Sequence, residues 1–168
     1  MLIALKALLF TIVVPGTVAV YGPYRVLGTY PGRWGFSPGA FRVLGLACAA
    51  LGAAIYFWCL WDFASVGRGT PAPIDPPRVL VVRGLYRYSR NPMYVGVATF
   101  IVAQGLFFRA AAVLVYAAIV FALFTGVVLL YEEPSLRRKY GDAYARYCAQ
   151  TPRWLQLPRL KRGASYGP

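Results

Sequence analysis

Long runs of apolar residues alternate along the chain with shorter segments that are rich in proline, glycine and arginine. The runs extend over about residues 2–21, 40–64, 93–108 and 110–131. A helix that crosses a bilayer needs about 20 apolar residues, with a range of about 17–25, so all but the third run are long enough. Only FFRAA separates the third run from the fourth, which predicts a tight helical hairpin with Arg109 at its tip. The pattern predicts an all-α, polytopic membrane protein with about four transmembrane helices and a kink at Pro15.

Two segments outside these runs have patterns of their own. Gly67–Gly84 is rich in proline and is expected to be stiff and extended, with a short strand at RVLVV, residues 78–82. After Pro134, apolar and aromatic residues recur at spacings of four, four and three, which predicts a helix with one aromatic face. The residues on that face are Leu136, Tyr140, Tyr144 and Tyr147. We expect this C-terminal amphipathic helix to lie at the membrane interface or to cap the cytoplasmic end of the bundle.

The basic residues indicate how the chain is oriented in the membrane. The net charge is +13, from 18 Lys and Arg against 5 Asp and Glu. Fourteen of the basic residues are Lys6, those of the 63–92 loop and those after Glu133; the other four lie in the 22–42 loop and at Arg109. The positive-inside rule then predicts an integral membrane protein with cytoplasmic termini and a cytoplasmic 63–92 loop. Membrane orientation explains this charge pattern, so we do not infer nucleic-acid binding.

The composition of the chain excludes several kinds of catalytic site and metal site. The length of 168 residues suggests a single domain, and 59% of the residues are hydrophobic. With no histidine, the chain has no Ser-His-Asp triad, no HExxH zinc site and no histidine-ligated haem. Cys48 and Cys59 lie about 16 Å apart on one predicted helix, too far for a disulfide. We predict no metal site.

The stretch GLYRYSRNPMYVG, from Gly84 to Gly96, places cationic and aromatic residues directly before the third apolar run. Asn91 suits the N-cap of a helix and Pro92 suits its first position. The unpaired backbone N–H groups there, with Arg87 and Arg90 beside them, predict an anion pocket for a carboxylate or phosphate. Flat surfaces for an adenine-like or sugar-like group come from Tyr86, Tyr88 and Tyr94. The alternative is an aromatic belt at the membrane interface with an ordinary helix cap.

A second candidate feature is YEEP, Tyr131–Pro134, at the end of the fourth apolar run. Carboxylates at Glu132 and Glu133 are suited to binding ribose hydroxyls or a cation. Alternatively, Glu133 caps the helix that follows. A third acid, Asp62, ends the second run, and we expect it to pair with an arginine.

The two blocks GTPAPIDPPRVLVVRGLYRYSRNPMYVG and EEPSLRRKYGDAYARYCAQTPRW together resemble the integral membrane methyltransferases grouped with isoprenylcysteine carboxyl methyltransferase and phospholipid methyltransferases. The resemblance covers about residues 67–154 and implies an S-adenosylmethionine site between the third and fourth spans and the C-terminal helix. The residues it assigns to that site are Gly84, Tyr86, Arg90, Asn91, Pro92, Tyr94, Gly96, Glu132 and Glu133. Asn91 stands where isoprenylcysteine enzymes usually have histidine.

The resemblance leads to a hypothesis for the reaction. Arg90, Asn91 and the start of the third span would hold the methionyl carboxylate, with Arg87 beside them. Glu133, with Glu132, would hold the ribose, and Tyr86 or Tyr94 would pack near the adenine or the sulfonium. The acceptor would be a membrane lipid or lipidated small substrate, either isoprenylcysteine-carboxylate-like or phospholipid-like, methylated at the cytoplasmic face. Two alternatives remain open, a membrane reductase with a nicotinamide cofactor and a non-enzymatic scaffold. The oligomeric state is not predicted.

Overall fold

The computed structural model describes residues 2–30, 38–67 and 79–155, and all regular secondary structure within these ranges is helical. The α-helices are α1 (Leu2–Gly16), α2 (Gly22–Thr29), α3 (Pro38–Asp62), α4 (Pro92–Phe108), α5 (Ala111–Val127) and α6 (Glu133–Gln150). Three π-helical segments, Thr17–Tyr21, Phe63–Gly67 and Val128–Glu132, continue α1, α3 and α5, and a 3₁₀ turn, Gly84–Arg87, precedes α4. The prediction of an all-α protein is confirmed for the described residues.

Two helical stretches are long and apolar enough to cross a membrane. One covers Gly39–Ser65, and the other extends from Ala111 to Gln150 through α5, its π segment and α6, with a kink at Gly141. α4 is apolar but shorter, with 17 residues. Large apolar side chains such as Trp61 and Leu123 are about two-thirds exposed on the outside of these helices. Exposed apolar surface of this kind suits contact with lipid.

The helix at the N-terminus is longer than predicted. The apolar run was expected to end near residue 21, but α2 continues the helix to Thr29 and occupies part of the predicted 22–42 loop. Pro23 lies in the first turn of α2 and is buried. Pro15 lies inside α1, and the π segment begins two residues later. A proline there removes one backbone donor, which is consistent with the irregular turn that follows.

Polar side chains attach this N-terminal helix to the rest of the bundle. The Gln104 side chain of α4 donates to the Ala19 carbonyl at 2.7 Å, and the Tyr116 hydroxyl of α5 donates to the Val18 carbonyl at 2.9 Å. The hydroxyls of Thr11 and Tyr56 lie 2.8 Å apart. Hydrogen bonds of this kind hold helices together where lipid offers no competing partner.

Glycines bring the backbones of α3 and α4 into direct contact. A Cβ built at Gly52 would lie 2.7 Å from the Gly96 carbonyl oxygen, and one built at Gly96 would lie 2.9 Å from the Gly52 carbonyl oxygen. A Cβ at Gly45 would lie 2.8 Å from the backbone nitrogen of Phe107. The helices approach this closely because these positions carry no side chain. The main apolar core, which includes Ile101 and Val113, lies beside this seam.

The predicted strand at RVLVV is wrong for the part that the structure describes. Residues 79–82 have no regular secondary structure, and Arg78 lies outside the described residues. A strand needs a neighbouring strand to satisfy its backbone groups, and the described part of the chain offers only helices. Val81 instead packs against Cys59 and Tyr86.

The hairpin between α4 and α5 has the predicted tip. Arg109 follows Phe108 in the left-handed conformation, with φ of 56°. Its backbone N–H bonds the Leu106 carbonyl, and that of Ala110 bonds the Gly105 carbonyl. These bonds satisfy carbonyls at the end of α4.

Candidate active site

A cavity of about 330 Å³ lies between α1, the start of α4, the end of α5 and α6. This volume falls within the range of small-molecule sites. Its polar lining residues come from the segment before α4, from the end of the π segment after α5 and from α6, and we call them the polar end: Arg90, Asn91, Glu132, Glu133, Ser135 and Lys139. Its apolar lining residues come from the N-terminal helix and from positions one to two turns farther into the bundle along α4 and the α5 helix, and we call them the apolar end: Phe10, Val14, Val18, Val97, Phe124 and Val128. The cavity therefore joins a charged compartment to an apolar one.

The cavity brings together most of the residues singled out from the sequence. Its lining includes Tyr86, Arg90, Asn91, Tyr94, Glu132 and Glu133. Four others are not among its lining residues: Gly84, Arg87, Pro92 and Gly96. Arg87 is exposed, whereas Gly96 packs against α3. Tyr88, a further sequence candidate, is also exposed.

Glu133 lies at the centre of the polar end. Its Oε1 accepts hydrogen bonds from Arg90 at 3.0 Å and from the Arg153 Nε at 2.7 Å. Its Oε2 accepts one bond from the second guanidinium nitrogen of Arg153 at 3.1 Å. The bond to Glu133 raises the pKa of the Arg153 guanidinium above its ordinary value. The predicted convergence of Arg90 and Glu133 is confirmed, and the two side chains are bonded to each other.

Arg90 still has hydrogen-bonding capacity. Its side chain is only 12% exposed and also donates to the Cys148 sulfur at 2.9 Å. Its Nε is buried and has no hydrogen-bond partner among the described residues. A buried donor without a partner is costly, so it marks a place where a ligand can accept a bond. The first turn of α4 begins two residues later and presents free backbone N–H groups, which favour an anion.

Glu132 has different partners from Glu133. It accepts a short hydrogen bond from the Tyr94 hydroxyl, and no described basic residue forms an ion pair with it. The Tyr94 ring packs on Phe124, with centroids 4.6 Å apart. Phe124 belongs to the apolar end of the cavity, so Glu132 and Tyr94 lie where the two ends meet.

Asn91 precedes α4 as predicted, but its side chain does not cap the helix. Instead, its amide donates to the Arg153 carbonyl at 3.1 Å. Its backbone φ is −130° and ψ is 49°, and its N–H bonds the Ser89 hydroxyl. Asn91 therefore occupies the predicted N-cap position, with Pro92 in the first turn, but its side chain is directed to the segment after α6 and forms no capping bond.

Gly84 and Asp62 place the segment that carries Tyr86. Gly84 has φ of 58°, a conformation that glycine adopts without strain, and a Cβ there would collide with the Asp62 carboxylate. Asp62 is 1% exposed and pairs with Arg83 at 3.1 Å, which confirms the predicted pairing with an arginine. Burial raises the pKa of Tyr86 well above its ordinary value, so its phenol stays neutral.

The helix after Pro134 contributes the aromatic face that the spacing predicted. Leu136, Tyr140, Tyr144 and Tyr147 all line the cavity, and the Tyr147 hydroxyl donates to the Tyr86 carbonyl at 2.7 Å. Gly141 interrupts α6 with φ of 51° and ψ of −126°, a backbone conformation that is open almost only to glycine. The aromatic face of α6 therefore forms one wall of the cavity.

Sequence reasoning missed Arg153 as a site residue. It lies within the quoted second block, but the helical pattern ends before it and no spacing connects it to Glu133. Tyr140, Tyr144 and Tyr147 were identified as one face but were not assigned to the site. Their spacing from Glu133 could have assigned them to the site, because it puts these tyrosines on the same face of the helix as Glu133.

A family model described as "Phospholipid methyltransferase" matches residues 40–143, more than half of the chain. The match includes α3, α4, α5 and the first part of α6, and therefore Arg90, Glu132 and Glu133. It ends before Tyr144, Tyr147 and Arg153, and it does not include α1. A comparison with curated proteins finds no match.

Proposed function

The chain belongs to the phospholipid methyltransferase family, and we propose that it transfers a methyl group from S-adenosylmethionine to a lipid amine at the cytoplasmic face of a membrane. Membership implies a membrane methyltransferase and confirms the resemblance found in the sequence. The methyl donor, the acceptor and the membrane face are the parts that we propose.

The observation that carries the proposal is the cavity with two unlike ends. Methyl transfer to a lipid requires a polar donor and an apolar acceptor to meet with their reacting atoms in line. The polar end is lined by the Arg90 guanidinium and by the carboxylates of Glu132 and Glu133, whereas apolar lining residues come from α1, α4 and α5. Such a cavity suits this pair of substrates better than it suits two water-soluble ones.

We place the donor at the polar end. The donor's carboxylate would bind the free Nε of Arg90 and the backbone N–H groups that begin α4. Glu133 accepts two bonds at Oε1 but only one at Oε2. Since each carboxylate oxygen has two lone pairs, Oε2 can also accept a ribose hydroxyl. The Asn91 side chain donates to the Arg153 carbonyl and so helps to hold Arg153 beside Glu133.

Tyrosines around the polar end would bind the remainder of the donor. When bound, S-adenosylmethionine supplies a methyl group activated by a positively charged sulfur. Tyr86, Tyr94 and Tyr144 line the cavity and offer aromatic faces that attract cations and stack on a purine. Gly84 would act indirectly, through the backbone conformation that places Tyr86.

Glu132 is the residue that favours an amine as the acceptor. Methyl transfer to an amine breaks the bond between methyl and sulfur and forms one between methyl and nitrogen, so the positive charge moves to the nitrogen. A carboxylate beside that nitrogen stabilises the charge as it develops. Glu132 suits this role because it lies at the junction with the apolar end and no described cation neutralises it. An acceptor carboxylate would be repelled at the same place.

The distribution of basic residues supports the cytoplasmic face as the location of this chemistry. We propose four spans, formed by α1 with α2, by α3, by α4 and by α5, so that the polar end of the cavity lies on the side of the 63–92 loop. That side carries most of the arginines. A lipid in the inner leaflet would reach the apolar end of the cavity sideways from the bilayer.

The test is a methyl-transfer assay with purified protein in mixed micelles. Donor with a labelled methyl group is incubated with total lipid extract, with phosphatidylethanolamine, or with a prenylcysteine. We expect label in amine lipids only, and a loss of at least about tenfold in the Glu132→Gln variant. Label in prenylcysteine ester would refute the amine acceptor, while absence of any labelled lipid together with binding of a nicotinamide dinucleotide would refute methyl transfer.

A matched control is Asp142→Asn. Asp142 is exposed on α6 and does not line the cavity. This substitution removes the same charge from an exposed position of α6, so it should leave the rate within about twofold of the unmodified protein. An equal loss in both variants would show that general surface charge, and not the position of Glu132, determines the rate.

A further inference from the structure

The segment Thr151–Trp154, which we call the strap, closes over the residues that precede α4. The Arg90 backbone N–H donates to the Pro152 carbonyl at 2.9 Å. The Arg153 carbonyl accepts from the Ser89 hydroxyl at 3.3 Å and from the Asn91 amide at 3.1 Å. The Trp154 ring packs on Phe121 of α5, with centroids 4.7 Å apart. The strap is therefore attached to the segment that precedes α4 and to α5.

The strap also changes the charge of the polar end through the Arg153 side chain. Arg90, Arg153 and Glu133 together carry two positive charges and one negative charge, so the cluster has a net charge of +1. Arg153 meets the carboxylate with two parallel bonds, of 2.7 Å and 3.1 Å, whereas Arg90 makes one. Paired contacts of this type are the stronger ones. Arg153 therefore makes two of the three hydrogen bonds to the carboxylate, and the Nε of Arg90 has no partner among the described residues.

We propose that Arg153 is a positioning residue that prepares Arg90 for the carboxylate of the methyl donor. Arg153 neutralises Glu133, so the remaining positive charge of the cluster is available to the donor. Without Arg153, Glu133 would pair with Arg90 alone, the cluster would be neutral and its attraction for a carboxylate would fall. This role rests on the proposed function. It concerns a residue outside the range matched by the family model.

The experiment compares two ligands that differ in one feature. S-adenosylhomocysteine carries the amino-acid carboxylate, whereas 5′-methylthioadenosine lacks it. For Arg153→Gln we expect the Kd of S-adenosylhomocysteine to rise about tenfold, about 1.4 kcal/mol, and the Kd of methylthioadenosine to stay within about twofold. Unchanged binding of methylthioadenosine shows that the site has kept its fold.

Three further variants separate charge from packing. Arg153→Lys keeps the charge and should raise the Kd of S-adenosylhomocysteine by no more than about threefold. Arg146→Gln, on the exposed face of α6, removes the same charge elsewhere and should have no effect. In a Glu133→Gln background there is no carboxylate to neutralise, so adding Arg153→Gln should then change the Kd by less than about threefold.

The outcomes distinguish this inference from the proposed function. If the unmodified protein binds neither ligand, the proposed donor is wrong. If it binds S-adenosylhomocysteine and Arg153→Gln binds it equally well, the donor stands and the role of Arg153 is refuted. The role is also refuted if Arg153→Gln loses both ligands in parallel, if Arg153→Lys is as weak as Arg153→Gln, or if the two substitutions in the cycle are additive.

Discussion

Replacing Gly96 by alanine tests whether this glycine serves helix packing or the donor site. The family resemblance assigned Gly96 to the cofactor, whereas the structure places it in the seam between α3 and α4. A Cβ at this position would lie 2.9 Å from the Gly52 carbonyl oxygen and 3.0 Å from the backbone nitrogen of Tyr56. Both are backbone atoms of α3, which cannot rotate away, and the Cγ2 of the Ile55 side chain lies at 2.9 Å as well.

The cost follows from these distances. Ordinary van der Waals contact begins at about 3.4 Å, so the two helices would have to separate by about 0.5 Å. A gap of that size forfeits about a quarter of the dispersion energy of each contact along the seam. Overpacking of this kind costs about 1–3 kcal/mol. Gly126→Ala in α5 is the matched control, because a Cβ there meets nothing within 4 Å, and alanine should stabilise a helix by up to about 1 kcal/mol.

The assay is an equilibrium unfolding titration in mixed micelles, followed by binding of S-adenosylhomocysteine to the folded fraction. We expect Gly96→Ala to lower the free energy of unfolding and Gly126→Ala to leave it unchanged or raise it. The affinity of the folded Gly96→Ala protein should stay within about twofold of the original. The packing account is refuted if stability is unchanged while affinity falls, or if both variants are destabilised equally.

Three other substitutions test separate parts of the structure. Gly141→Ala forces alanine into a backbone conformation it rarely adopts, so it should cost about 1–3 kcal/mol in the same unfolding titration; an unchanged midpoint would contradict the kink in α6. Tyr94→Phe removes the hydroxyl that bonds Glu132, and we expect methyl transfer to slow by about tenfold with donor affinity retained, as measured by the labelled-lipid assay. Gln104→Leu leaves the Ala19 carbonyl without its donor and should cost about 0.6–1 kcal/mol of unfolding free energy, which a stability equal to that of the unmodified protein would disprove.

The helical architecture could be predicted from the sequence because membrane helices depend on local composition. Runs of apolar residues must form helices in lipid, where no water satisfies the backbone. The tip at Arg109 was predictable for the same reason, since polar residues interrupt the apolar pattern there. The extension of the first helix to Thr29 was not, because residues 22–29 contain Gly22, Pro23 and Arg25 and resemble a loop.

The candidate site was only partly predictable. The positions of Arg90 and Glu133 could be inferred because a hairpin of two short helices must bring its open ends together. The contact between Arg153 and Glu133 could not, because it depends on how the chain turns after α6. Asn91 shows the same limit: its position at the N-cap of α4 could be predicted, but not the bond from its side chain to the distant Arg153 carbonyl.

The sequence by itself determined the kind of protein: an all-helical membrane protein with opposite charges near one face and a methyltransferase motif. The helices and the charge distribution follow from hydropathy, charge and local spacing, which do not depend on distant contacts, whereas the motif rests on the resemblance of two sequence blocks to a family. Only the tertiary structure decided which charges neutralise each other, which glycines pack helices and which tyrosines line the cavity. These depend on atoms within about 3 Å of one another that are contributed by residues far apart in the chain, and such distances are set by packing of the whole bundle.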